Sequence, residues 1–146
     1  MKKSIISISL IFLVTVAVFY NQITSVLRSE KPIYKEISLT IATGNNYSAT
    51  AYDNALASVH VTVYKISGNK QTIVWDKTFD TMQLKKYPNI NQALPERVAI
   101  PNILESKEKL VVTYTVTYDT KGSLLKMANG AVVTSGEETD KLFIGI

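Results

Sequence analysis

The chain has 146 residues, one domain's worth, and its 46% hydrophobic and 19% charged residues exclude a disordered polymer. It holds no Cys and one His, which excludes a disulfide scaffold, a thiolate or multi-His metal site, a Cys nucleophile and a lipidated N-terminal Cys. The net charge of +4 sits at the start: Lys2, Lys3 and Arg28 meet no acidic residue in the first 28 positions, and the remainder carries 13 basic against 12 acidic residues. A body of net +1 has no basic stripe to hold phosphates, so nucleic acid is not an expected partner.

Met1 to Ser4 form a short positive flank, and Ile5 to Tyr20 run apolar with no charge. This is the layout of a secretory signal: the apolar run partitions into the membrane while the lysines stay on the cytoplasmic side. Thr15-Val16-Ala17 is the closest approach to a cleavage site. Ile23, Val26 and Leu27 extend the apolar stretch to roughly the 20 residues a spanning helix needs. Residues 1–28 are therefore expected to be a signal peptide or an N-terminal membrane anchor, a hydrophobic helix ahead of the body. Any membrane contact would run through residues 5–27. Residues 29–146 are expected to face an extracytoplasmic space: periplasm, cell surface or medium.

From Ile33 onward the hydrophobic period becomes two. Ile37, Leu39 and Ile41 alternate with Ser38, Thr40 and Ala42; Val59, Val61 and Val63 alternate with His60, Thr62 and Tyr64. Ile73, Trp75 and Phe79 share a parity that reads as a core face. Leu110, Val112, Tyr114, Val116 and Tyr118 share one face of the longest run, with Thr113, Thr115 and Thr117 on the other. Alternation of this kind marks half-buried strands, and the β-branched and aromatic composition agrees.

Turn residues separate these runs. Ser67-Gly68-Asn69-Lys70 and Asp119-Thr120-Lys121-Gly122 predict hairpins, and Asn129-Gly130 predicts a third between 123–128 and 131–135. Tyr87 to Pro101, with three of the four prolines, predicts a long connection holding a short strand (Arg97 to Ile100) or one helical turn. Lys141 to Ile146 predicts a last strand, which invites strand addition if it lies at an edge and completes the core if it does not. The expected fold is all-β: a single antiparallel β-sandwich of seven or eight strands, immunoglobulin-like or transthyretin-like in architecture. No motif ties the chain to a family, and architecture alone does not give function.

Chemistry-bearing residues are sparse. His60 lies opposite the Val59/Val61/Val63 face and should point outward or between sheets, and neither a local triad nor a G-x-S-x-G sequence accompanies it. The loop 44–54 mixes amides with two tyrosines, and Asn45, Asn46, Tyr47, Tyr52 and Asp53 are its candidate ligand-binding residues. Aromatic rings stack on sugar C–H faces while amides and carboxylates bond hydroxyls, and Tyr and Asn also serve adaptable protein-binding loops. Asn46-Tyr47-Ser48 is formally a glycosylation sequon. Glu137, Glu138 and Asp140 cluster, and Asp119 could join them across a turn, but the stretch lacks any calcium-loop spacing and reads as a solvated hairpin loop. No metal or other cofactor is expected. The pair of carboxylates across a cleft that glycoside hydrolysis requires does not announce itself. The expected function is a non-catalytic binding or structural role in the cell envelope or medium, with a protein or glycan partner. A carbohydrate-binding module using loop 44–54 is the alternative, and a hydrolase is not expected.

Overall fold

The computed structural model describes residues 30–44, 52, 54–133 and 135–146. The expected N-terminal helix lies outside the described residues. The described chain is all-β, in eight strands: β1 (Ile33–Ala42), β2 (Leu56–Ser67), β3 (Lys70–Thr78), β4 (Met82–Gln83), β5 (Glu96–Ile103), β6 (Glu108–Thr120), β7 (Ser123–Val132) and β8 (Thr139–Gly145). One 3₁₀ turn, Leu84–Lys86, follows β4. Residues 32–146 make one compact unit.

Two sheets form, ordered β5-β1-β8 and β3-β2-β6-β7, with β4 added to the end of β2. Among the described residues, all strand-to-strand pairings but one are antiparallel. The exception corrects the expectation of a purely antiparallel fold: β1 and β8 run parallel, from Glu36 beside Thr139 to Ala42 beside Gly145. Six strands separate them in sequence, so no tight hairpin forces them to oppose, and parallel pairing is open to them.

The two sheets close on one core. β1 contributes Ile37 and Leu39, β2 Val59, Val61 and Val63, β5 Val98, Ile100 and Ile103, β6 Leu110, Val112 and Val116, and β8 Ile144. These are the inward members of the alternating runs. The last strand is thus both an edge strand and a core strand. A smaller cluster of Ala55, Ala57, Leu84 and Tyr87 seals one end, with the Tyr87 hydroxyl donating to the Ala57 carbonyl at 2.9 Å. Among the described residues no buried side-chain nitrogen or oxygen lacks a hydrogen-bond partner.

Two predicted hairpins form where the turn residues sit. Lys121 and Gly122 both take positive φ, 53° and 91°, joining the paired residues Thr120 and Ser123 in the form whose twist suits a hairpin. The Asp119 carboxylate accepts the Gly122 N–H at 2.8 Å. The third predicted hairpin is absent. Asn129 and Gly130 lie inside β7, opposite Tyr114 and Thr113, because the thirteen residues of β6 offer an unbroken partner for all of 123–132. Gly130 serves close approach instead: a Cβ there would stand 3.0 Å from the Val112 carbonyl oxygen.

Ile73 also departs from its expected place. From Ser67/Lys70 to Tyr64/Ile73 the β2–β3 ladder advances one for one, and then Val63 pairs with Trp75, leaving Val74 as an extra residue. That bulge flips the parity of everything beyond it. Trp75 therefore packs against the core while Ile73 is exposed. A similar irregularity in β5, at Pro101 and Asn102 (φ 61°), accommodates a proline on an edge strand.

Three strands face four, and the mismatch falls on one side. At the β3/β5 side the sheet edges meet, Lys77 Nζ reaching Glu96 Oε1 at 2.8 Å. At the other side β7 has no strand facing it among the described residues. Nine of its ten residues are exposed, including Leu125 and Met127, which share the core-facing parity.

Candidate functional site

Of the five loop residues singled out by sequence, Asn45, Asn46, Tyr47 and Asp53 lie outside the described residues. Tyr52 is described and is 54% exposed, its carbonyl accepting the Ala55 N–H at 2.8 Å. Beside it Asn54 Oδ1 accepts a hydrogen bond from Lys85 Nζ at 2.8 Å, tying the end of this loop to the 3₁₀ turn. At the loop's start Thr43 is held to the Pro88 carbonyl through both its N–H and its hydroxyl. Both ends of the loop are therefore fastened to the connection between β4 and β5.

His60 points outward as expected, but its surroundings are richer than the local sequence suggests. Its Nδ1 lies 2.8 Å from Thr78 Oγ1, and its Nε2 lies 3.1 Å from Thr62 Oγ1 and 3.2 Å from Asp76 Oδ1. The Thr62 hydroxyl donates its proton to Asp76 at 2.6 Å. Its oxygen must then accept from His60 Nε2–H, which in the neutral ring leaves Nδ1 to accept from Thr78. The β3 bulge builds this cluster: without it Thr62 would oppose Trp75 rather than Asp76. A hydroxyl on one ring nitrogen and a carboxylate on the other are parts of a nucleophilic triad. Here they lie on an open sheet face, outside the principal surface cavities, while the neighbouring β2 backbone donors, which an oxyanion would need, are engaged with β3 and β6. The arrangement is a cross-strand network, without the enclosure that acyl transfer needs.

The acidic stretch 136–140 meets a lysine, not Asp119. Asp119 stands at the far end of β6, bonded into the 121–122 turn. Lys35, only 3% exposed, extends from β1 to Glu105 Oε1 at 2.6 Å and to the Glu137 carbonyl. The Gly136 N–H donates to the same Glu105 oxygen at 2.9 Å. Donation by Lys35 first, and then by Gly136, holds the Glu105 carboxyl below its ordinary value. Lys35 separates two open clefts, of about 400 and 660 Å³, one reaching Leu110 and Val133, the other Tyr34 and Thr139. The described residues contain no group of three or more His, Asp or Glu able to hold a metal ion. With its lysine charge matched by Glu105, the site pins the β5–β6 and β7–β8 connections to β1.

No family model, curated protein or solved structure matches the chain.

Proposed function

We propose that this is an exported, non-catalytic binding or structural module whose two sheets form a transthyretin-like sandwich. The architecture is supported by strand order. The first two strands of an immunoglobulin constant domain share a sheet, whereas β1 and β2 lie in different sheets. The observation that carries the non-catalytic reading is the use of the polar groups. His60, Asp76, Lys35 and Glu105 are engaged with neighbouring side chains or backbone, on an open face or between open clefts. The export reading rests on the lysine-flanked apolar run of residues 1–20.

Intact mass and fractionation from the native host test it. A chain lacking 17–28 N-terminal residues in the soluble extracytoplasmic fraction, or a full-length chain in the membrane fraction, is the expected result. A full-length chain in the cytosol would end the export reading. The exposure of Tyr52 favours the second reading, a glycan-binding rim built on loop 44–54. Saturable binding to a glycan array, lost in Tyr52→Ala, would raise it above the first.

A further inference from the structure

We propose that the open side between β7 and β8 is a docking slot for one extended segment of another polypeptide, apolar at alternate residues and acidic on its outer face. This deepens the binding reading above and rests on it.

The backbone supplies the first argument. The Glu138 carbonyl accepts from Glu36, and the Ile146 N–H donates to the Ala42 carbonyl, so even-numbered residues of β8 turn their backbone groups toward β1. Thr139, Lys141, Phe143 and Gly145 therefore present theirs to the opposite edge, where no described strand pairs with them. An edge of this kind accepts an added strand through main-chain bonds.

Space supplies the second. A strand added to β8 would lie about 5 Å further out, over the core-facing side of β7. Leu125 and Met127 lie exposed there, 60% and 57%. A cavity of about 100 Å³ opens beside them, lined by Tyr114, Tyr118, Met127, Asn129 and Gly145. The slot is one strand wide, since it arises from four strands facing three. A second copy pairing β8 to β8 would drive its own β7 into β6, so a folded edge does not fit where a lone segment does.

Charge supplies the third. Lys141 on β8 is exposed and has no ion-pair partner among the described residues. Cross-strand neighbours of opposite charge stabilise a pair, and like charges directly opposite oppose it. Lys141 thus selects a carboxylate at the facing position and rejects a lysine, which also guards the edge against indiscriminate pairing.

The test is calorimetric titration of the full-length chain with a peptide alternating Val and Thr that carries one central Glu on its Thr face, and with the same peptide carrying Lys instead. The expected result is one-to-one binding of the Glu peptide, at least about tenfold tighter than the Lys peptide. Phe143→Pro removes an outward N–H that no described residue uses, a change edge strands tolerate. Leu125→Lys places a charge on the slot floor at an exposed position. Each variant should retain the wild-type unfolding midpoint and bind the Glu peptide at least about tenfold more weakly. Absence of binding by either peptide, or binding that both variants leave unchanged, would overturn the proposal. So would self-association abolished by Phe143→Pro, which would place a second copy there. Failure of peptide binding leaves the fractionation result untouched, so the two readings fail separately.

Discussion

β2 and β7 flank the same strand, β6, and both are rich in apolar residues, yet they have opposite fates. Val59, Val61 and Val63 of β2 are fully buried, while Leu125 and Met127 of β7, on the same side of the same sheet, stand largely in water. The difference does not lie in propensity or pairing, because both strands form continuous ladders with β6. It lies in what stands opposite. The inward face of β2 shares its core with β1 and β5 of the other sheet, and nothing described covers β7. Alternation in a sequence marks which side chains share a face, and the second sheet decides whether that face is dry.

The largest effect that would sharpen the contrast is at the shared core. Leu39 of β1 is fully buried against β2 and β6. Truncating it removes transfer energy and leaves a cavity that both sheets resist filling, so Leu39→Ala should cost about 2–5 kcal/mol. Denaturant titration reads this directly. A loss below about 1 kcal/mol would mean that the sheets relax toward each other freely.

This unevenness follows the limits of what was legible in the sequence. The β-rich class, the core faces of β1, β2 and β6 and two of three hairpins were readable, because each depends on neighbours within a few residues. Ile73 escapes the periodicity because a single extra residue, Val74, reverses parity, and no local rule announces a bulge without Gly or Pro. The Asn129-Gly130 signal was real but outcompeted by a long partner strand. The His60 cluster depends on the same bulge, so its residues were visible but their meeting was not. The parallel β1–β8 pair and the exposed side of β7 depend on strand order, which periodicity does not encode.

An intermediate effect concerns the pin at Lys35, where acid should act selectively. Glu105 is held below its ordinary value of 4.5 when folded, so the unfolded chain takes up this proton more readily. Its contribution is present above that value and is lost as pH falls below it toward the depressed folded value. Glu108 behaves likewise, through the Leu104 N–H first and Lys65 after it. Glu105→Gln should lower the unfolding midpoint at neutral pH and shrink the further drop seen on going to about pH 3. An unchanged acid response would mean that Lys35 gains nothing from that carboxylate.

The smallest expected effect is the sharpest test of the comparison. Leu125→Ala removes as many side-chain atoms as Leu39→Ala, from the same kind of residue in the same class of element. Because Leu125 is 60% exposed, its removal forfeits little buried area and leaves no cavity. The expected change is within about 0.5 kcal/mol, the ordinary range for surface substitutions. Met127→Ala should match it. A core-sized loss at either position in the isolated chain would show that the inner side of β7 is already covered, and the contrast with β2 would collapse. If the loss instead appeared only with the Glu peptide bound, the same substitution would report the cover that the added strand provides, since apolar area counts only once water leaves it.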